Sequence, residues 1–389
     1  MMHLFLDASA ASSGSGPTYI RNVLPHLARR DDVRVTALLS PALSQEFQNS
    51  RNISVAEFEP ASSHAGLRFW MAQRLVPRLV SMSGADILIS AGNFASFRSP
   101  VPQILLSGNA LYTSQDFFGD LKRRGHYGLW LDTKVKAWFA RKSVRSAECT
   151  IAPSQAFADE LERWTGVKVK AVHHGFDHDL FFREELAPEP LAASLKRTSD
   201  ELRLLFVSHY NYYRNFETLF RALAVVKKEM PRRQFKLYLT CKLETAANPG
   251  SYRAEPAAKL IQDLGISDSI VQLGAVPYSQ LHHVYQACDV YVTPSYVETF
   301  AHPLVEAMAS GLPVVASDLP VHREVCADAA LYFPRFSPDI TAHRIASIAS
   351  SDETATSLGR RGISRAQDFS WSKHVEEMVK IAFNHRRKV

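Results

Sequence analysis

The sequence has no closely spaced cysteines, no long apolar run and, outside one stretch, no excess of either charge. Its four cysteines, Cys149, Cys241, Cys288 and Cys326, stand far apart without a C-x-x-C pair. That argues against a metal knuckle and suits a reducing compartment. No run approaches the ~18–20 apolar residues that span a bilayer, and no repeat of solenoid period is present. The opening MMHLFLDAS has no basic leader, and Asp7 interrupts its apolar run. It reads as a first strand and not a signal peptide, so the expected location is cytoplasmic.

The 389 residues include 45 Lys+Arg and 39 Asp+Glu, a formal net charge of +6. The excess is local. Residues 121–145 (LKRRGHYGLWLDTKVKAWFARKSVR) hold eight basic residues and one acid, leaving 37 basic and 38 acidic residues elsewhere. A protein that coats nucleic acid has a broader basic footprint, so nucleic acid is not an expected partner. With 46% hydrophobic and 22% charged residues the composition is that of a globular chain with a full core. The length suits two domains of roughly 100–200 residues.

Short apolar runs alternate with helical stretches from end to end. Runs at 3–9, 33–39, 85–92, 102–108, 149–154, 167–175, 203–209, 235–240, 269–274, 290–295 and 313–318 mostly finish in Ser, Gly or Asp, and most lead into a helix. Parallel βαβ units have this rhythm, so the fold class is α/β with two doubly wound domains. The Pro- and acid-rich stretch REELAPEPLAASLKRTSDE precedes a fresh strand and marks the boundary. The expected division is a first domain at 1–183, a linker at 184–201, a second domain at 202–368, and a C-terminal helix at 369–389 that is a candidate to cross back to the first.

The strongest chemical signal is PSYVETFAHPLVEAMASGLPVVASD, residues 294–318. Glu298 and Glu306 flank a strand end, a short loop and a helix start. Ligands of doubly wound sheets bind at the C-terminal ends of strands, where a helix N-terminus favours an anion such as a diphosphate. Two carboxylates so placed can accept hydrogen bonds from hydroxyls on two parts of one polyol. The alternative is a capping carboxylate plus a solvated surface glutamate.

This segment resembles the signature of family 4 glycosyltransferases, PS-x-x-EGFG-x-P-x-x-EAMA-x-G-x-PV-V-A-S. The resemblance implies the GT-B fold, with two Rossmann-like domains facing across a cleft. It also implies that Glu306 holds the ribose of a nucleotide-sugar and Glu298 holds donor-sugar hydroxyls. Backbone around Phe300, Ala301, His302 and Leu304 would then face sugar and phosphate. Thr299 and Ala301 replace the usual glycines. FVSHYNYYRNFETLFRAL (206–223) resembles the family's phosphate-binding element. There Arg214 takes the cationic position, and His209 is a helper where the usual upstream Arg is missing; an ordinary surface arginine opening a helix is the alternative. SIVQLGAVPYSQLHHVYQACDVYVTPS (269–295) places Gly274 and Val276 at the nucleobase. Asp177-His178-Asp179 spells a D-x-D, but inside the interdomain element VHHGFDHDLF no metal need be invoked. Gly14 and Gly16 resemble the glycine turn that approaches the diphosphate; a plain loop is the other reading. Asn109 stands where relatives carry a His near the reacting carbon, and could position the acceptor or cap a turn.

By resemblance, the expected function is retaining, metal-independent transfer of a hexose from a nucleotide-diphosphate sugar of GDP-mannose or UDP-sugar type. It needs no cofactor beyond that co-substrate. The catalytic candidates are Glu298, Arg214 and Asn109; the acceptor is a glycan or lipid-linked molecule of polysaccharide or lipopolysaccharide biosynthesis. Lys122, Arg123, Arg124, Trp130 and Trp138 suit an anionic acceptor or the inner face of a membrane. The competing reading of this stretch packs Leu131, Val135, Trp138 and Phe139 into the core. Rival functions are a catalytically silent glycan- or nucleotide-binding protein and a nucleotide-sugar epimerase.

Overall fold

The apolar runs become parallel strands because burial on both faces leaves the backbone only a neighbouring strand to pair with. A computed structural model describes residues 1–11, 15–47, 52–58, 65–181, 183, 185–197, 200–250 and 252–386. Gly14, and 184, 198 and 199 of the expected linker, lie outside the described residues.

The chain divides into two compact units, neither contiguous in sequence. The first takes Met1–Thr113, Trp130–Gly175 and Ser370–Val389; the second takes Ser114–Leu129 and Phe176–Phe369. Two expectations are corrected here. Residues 114–129 group with the second unit although they precede 183, and the first unit's middle segment ends at Gly175.

In the first unit, β1 (Met2–Asp7), β2 (Val33–Leu39), β3 (Ile53–Glu57), β4 (Ile87–Ser90), β5 (Gln103–Leu106), β6 (Cys149–Ala152) and β7 (Val169–Ala171) form one parallel sheet. Its order is β3-β2-β1-β4-β5-β6-β7, with Leu4 in register with both Val35 and Ile87. Helix Trp371–His385 adds Trp371, Val375, Met378 and Ile381 to the core under β1 and β2. The Tyr19 hydroxyl lies 2.8 Å from His374 Nε2, fastening this helix to helix Ser15–Ala28. Gly175 has no room for a side chain: a Cβ there would overlap the Trp371 backbone nitrogen.

In the second unit, β8 (Glu201–Phe206), β9 (Gln234–Leu239), β10 (Ile270–Gln272), β11 (Val290–Thr293), β12 (Val314–Ser317) and β13 (Ala330–Phe333) are ordered β10-β9-β8-β11-β12-β13. The order reverses between β8 and β11, which opens a crevice at their C-terminal ends. The expected linker is partly tied down. Buried Arg203 of β8 pairs with Glu201 at 2.9 Å and donates to the carbonyls of Leu195 (2.6 Å) and Lys196 (3.0 Å), at the end of helix Leu191–Leu195. Two edge strands, β3 and β13, are absent from the sequence expectations.

Candidate functional site

Two loops leave the second sheet side by side at its switch point, since Tyr291 of β11 is in register with Leu205 of β8. After β8 the chain makes the short turn Tyr212–Arg214, where the Asn211 side chain accepts from the Arg214 amide at 3.2 Å. Asn215 follows at φ 56°, a left-handed conformation that Asn tolerates better than most residues. Its amide donates to the carbonyls of Pro294 (3.1 Å) and Arg335 (2.6 Å), stitching this loop to the one after β11.

That stitching aims the Arg214 guanidinium at the second loop. It forms an ion pair with Glu298 and donates to Ser295 Oγ at 3.2 Å. Its Nε–H, buried, has no acceptor among the described residues. Behind Ser295, the Ser317 hydroxyl donates to the Ser295 carbonyl at 2.5 Å, and His322 Nδ1 lies 2.9 Å from the Ser317 carbonyl. Burial holds His322 down to about 4, so it is a neutral post under the loop.

Past Glu298 the chain turns into helix His302–Ala309. Phe300 and Leu304 are buried, with the Phe300 ring edge-on to His302 (5.0 Å) and Phe369 (5.4 Å). These two side chains therefore serve the core, leaving backbone N–H groups at the helix start. Ala301 caps the helix at φ 63°, a conformation costing an L-residue about 1–2 kcal/mol. Ala301→Gly is expected to stabilise the protein by about 1 kcal/mol in urea unfolding, the strain relieved outweighing glycine's extra chain entropy. A loss of stability would show that the Ala301 methyl packs usefully.

Glu306, on the second turn of this helix, is buried and accepts the Tyr285 hydroxyl at 2.8 Å. Burial pushes its carboxyl up to about 7 despite that hydrogen bond. Tyr285 comes from helix Leu281–Gln286.

The structure thus brings Arg214, Glu298, Phe300–Leu304 and Glu306 into one unit, around the C-terminal ends of its strands. His209 stands exposed beyond β8; partial burial, then the Arg214 charge, lower its pKa, so near pH 7 it offers hydrogen bonds and no second cation. Val276 is half-buried beyond β10, two residues after Gly274 at φ 80°. Gly16 lies in the first turn of helix Ser15–Ala28, where a Cβ would come within 2.9 Å of the Ala11 Cα. Close packing inside the first unit is enough to require glycine there. Asn109 caps the turn Ala110–Tyr112, its Oδ1 accepting from the Leu111 amide at 3.0 Å. Asp177 Oδ1 accepts from the Leu180 amide at 3.0 Å, a local cap at the start of helix His178–Phe181. Among the described residues one group gathers possible metal ligands, Glu185, His282 and His283, with ligand atoms within 4.8 Å of one another. It includes neither Glu298 nor Glu306.

The basic stretch splits in two. Arg124 is no free surface cation, contrary to expectation: it pairs with Asp120 (3.0 Å) and Glu217 (2.9 Å) and stacks 4.2 Å over Tyr212. Arg123 is exposed and lies 3.4 Å from Asp120, and Lys122 is exposed. Helix Tyr127–Ser146 is turned inside out. It buries Thr133, Ala137, Ala140, Ser143 and Val144, and exposes Tyr127, Leu131, Val135 and Trp138 by 50–64%. The reading that packed Leu131, Val135 and Trp138 into the core is overturned; only Phe139 turns aside, against Phe69 and Trp70. At 3.6 residues per turn the exposed apolar residues share their face with Lys134, Arg141, Lys142 and Arg145. Trp130 is half-buried, with Lys134 Nζ 5.7 Å from its ring, and Lys142 Nζ is equally far from Trp138. Helix Ala65–Ser83 repeats the pattern, exposing Leu67, Trp70, Arg74, Arg78 and Met82 on one face and carrying no acid.

Ser295, Tyr285, Tyr296 and Asp120 have no role in the sequence reading. Ser295 sits at a fixed position of the quoted signature, so its spacing is a usable signal; Tyr285 lies in the stretch 269–295 that resembles the family. Asp120 had none, because its partner Tyr296 is far away in the chain.

Residues 189–365 match the family described as Glycosyl transferases group 1, and residues 16–180 match Glycosyltransferase Family 4. A curated relative, the D-inositol 3-phosphate glycosyltransferase of Kribbella flavida, is 28% identical over 233 residues, 59% of this chain and 54% of that protein. The chain spans about half the length of the curated relatives it matches. Among solved structures, the sucrose-phosphate synthase of Thermosynechococcus elongatus superposes with a TM-score of 0.74 at 18% identity, covering 99% of each chain. Anabaena HepE in complex with UDP-glucose gives 0.72 at 17%, covering 99% of this chain and 100% of that one. At such identities these likenesses establish the fold, a two-domain Rossmann-like GT-B architecture.

Proposed function

The chain belongs to the glycosyltransferases of group 1 and family 4, and on that premise we propose that it transfers a hexose from a nucleotide-diphosphate sugar to a glycan or lipid-linked acceptor. The observation that carries this reading is Arg214. It is held by Glu298 and Ser295 at the switch point, with a buried Nε–H that finds no acceptor among the described residues. A diphosphate oxygen is the ligand chemistry that answers it.

The rest of the site fits around that anion. Backbone N–H groups opening helix His302–Ala309 share the diphosphate charge. Glu306 accepts ribose hydroxyls, and Glu298 accepts hydroxyls of the transferred sugar. As the glycosidic bond breaks, charge grows on the leaving diphosphate and on an oxocarbenium-like ring. Arg214 and the helix start stabilise the first without rearranging, the largest contribution such a site can make. Transfer with retention, a phosphate oxygen taking the acceptor proton, and no metal belong to this reading. The donor is of UDP-sugar or GDP-mannose type; the UDP-glucose held by Anabaena HepE favours the former. A panel of nucleotide-sugars tests it: the matching donor at about 100 times its dissociation constant should stabilise the protein by about 2.7 kcal/mol and release nucleoside diphosphate when acceptor is added. If binding stabilises but nothing is ever released, the silent-binder reading replaces this one.

Peripheral contact with an anionic membrane belongs to the same proposal. Among the described residues no helix is long and apolar enough to cross a bilayer. Support comes from the outward faces of helices Ala65–Ser83 and Tyr127–Ser146, which carry Arg74, Arg78, Lys134, Arg141, Lys142 and Arg145, while the one acid of the two helices, Asp132, is paired with Lys136. Trp and Leu there suit the headgroup boundary while Lys and Arg reach phosphates. Flotation with phosphatidylglycerol vesicles should recover the protein at low salt and lose it at high salt. Lys134→Glu/Lys142→Glu should weaken binding at least ten-fold. Equal binding to phosphatidylcholine would sink the idea.

A further inference from the structure

Helix Gln115–Arg123 belongs to the second unit although the chain on either side of residues 114–129 belongs to the first. Side chains hold it there at two successive turns. Asp116 pairs with Arg335 at 2.6 Å, and the Arg335 carbonyl is also an acceptor of Asn215, next to Arg214. Both side chains of that pair are partly exposed, so alone it contributes little. Asp120 is different. It is buried, accepts the Tyr296 hydroxyl at 2.8 Å, and pairs with Arg124 at 3.0 Å. Arg124 in turn reaches Glu217, on the helix that starts just after Arg214.

Tyr296 is the link that matters. It is buried in the loop after β11, between Ser295 and Glu298, and its amide donates to the Tyr213 carbonyl at 2.9 Å. Its backbone is thereby tied to the residue before Arg214, and its hydroxyl to Asp120. We propose that Asp120 is a positioning residue for the donor site, fixing through the Tyr296 hydroxyl the loop that presents Ser295 and Glu298 to Arg214. Asp120 itself touches no substrate. A buried carboxylate accepting a phenol hydroxyl makes a short, charge-assisted bond with a defined direction. Without it the ring still packs against Phe336 (5.3 Å), and the loop keeps its backbone ties to Tyr213 and Asn215 but loses the side-chain anchor that holds it from the other side. The consequence is felt in donor binding, because both donor carboxylates lie on the segment that starts at this loop.

The proposal rests on the donor reading above, and the experiment separates the two. Tyr296→Phe removes the hydroxyl and keeps the ring; Asp120→Asn keeps the shape and removes the charge. Each should raise the donor KM about 10-fold, the order expected for losing a buried hydrogen bond to a charged group, with the acceptor KM unchanged. The double variant should be no worse than the worse single, since both weaken the same contact, Tyr296→Phe by removing the donor and Asp120→Asn by removing the charge on the acceptor. Amide exchange at residues 295–301 should quicken in Tyr296→Phe while the melting temperature stays within a few degrees of wild type. An active wild type with unchanged donor KM and unchanged exchange in Tyr296→Phe overturns the positioning role alone. A wild type that binds no nucleotide-sugar overturns the donor reading, and this inference with it.

Discussion

Arg214→Ala should lower turnover at saturating donor by about 10²–10³-fold, the range seen when one preorganised donor to a developing oxyanion is removed. The size follows from what surrounds it. His209, the other candidate helper, has a lowered pKa and is neutral at pH 7, so it does not replace the charge. The arginine also serves three directions at once: the Glu298 carboxylate, the Ser295 hydroxyl and the side of its Nε–H, which has no acceptor among the described residues. A lysine ammonium is a point charge on a flexible stem and lacks that planar fork, so Arg214→Lys should recover little of the rate. Truncation also strands half-buried Glu298 without its counter-ion, which lowers stability for reasons unrelated to catalysis. Arg214→Met combined with Glu298→Gln removes both charges together; it should restore the melting temperature and leave turnover low. A kcat within three-fold of wild type in Arg214→Ala would end the assignment.

Glu306→Gln should do two opposite things. The Glu306 carboxyl titrates at about 7 in the folded protein because burial disfavours its charge, against about 4.3 for a free glutamate. Between those values the folded state retains a proton that the unfolded state has lost, so stability falls as pH rises from about 4.5 to 7 and is flat beyond. The full penalty is of order 3 kcal/mol. Glutamine fits the site and still accepts from Tyr285, so the variant should be more stable than wild type at pH 8 by roughly 2–3 kcal/mol and equal to it near pH 4.5. Donor binding should move the other way. An ionised carboxylate holds two hydroxyls better than an amide does, so affinity should drop about 10–100-fold at pH 8. The rise of wild-type affinity through pH 7 should vanish as well. Urea unfolding and donor titration at pH 5 and pH 8 measure both effects. A variant that binds donor normally at pH 8 refutes the ribose role.

Strands whose side chains are buried on both faces announced themselves as apolar runs, and eleven of the anticipated runs are strands. At their C-terminal ends the runs extend past the strands: the run at 290–295 goes two residues beyond β11, which ends at Thr293. The extra Ser, Gly and Asp residues begin the loops that form the site. The two strands outside the expectations, β3 and β13, are edge strands with half-exposed residues; β3 (ISVAE) is broken by polar residues, whereas β13 (ALYF) is apolar but only four residues long. The Glu298–Glu306 segment was legible because loop, helix start and both carboxylates lie within one short stretch. Asp120 was not, since nothing local links a carboxylate in an early basic stretch to a tyrosine far along the chain. The basic patch was legible as charge but not as topography. Counting residues did not reveal that its helix buries alanine and serine and turns leucine and tryptophan outward, nor that Arg124 is engaged inward.

The interleaving of the two units bears on how the protein is made. A ribosome delivers β1–β7 first, yet part of their core comes from helix Trp371–His385, synthesised only after the second unit is complete. The usual N-terminal-first order of domain folding is therefore unavailable. The second unit draws its early helix, Gln115–Arg123, from chain already outside the exit tunnel and can finish while the first still shows bare apolar surface. Gly175 and Trp371 close the last seam, and chaperone demand should be greatest just before that helix emerges.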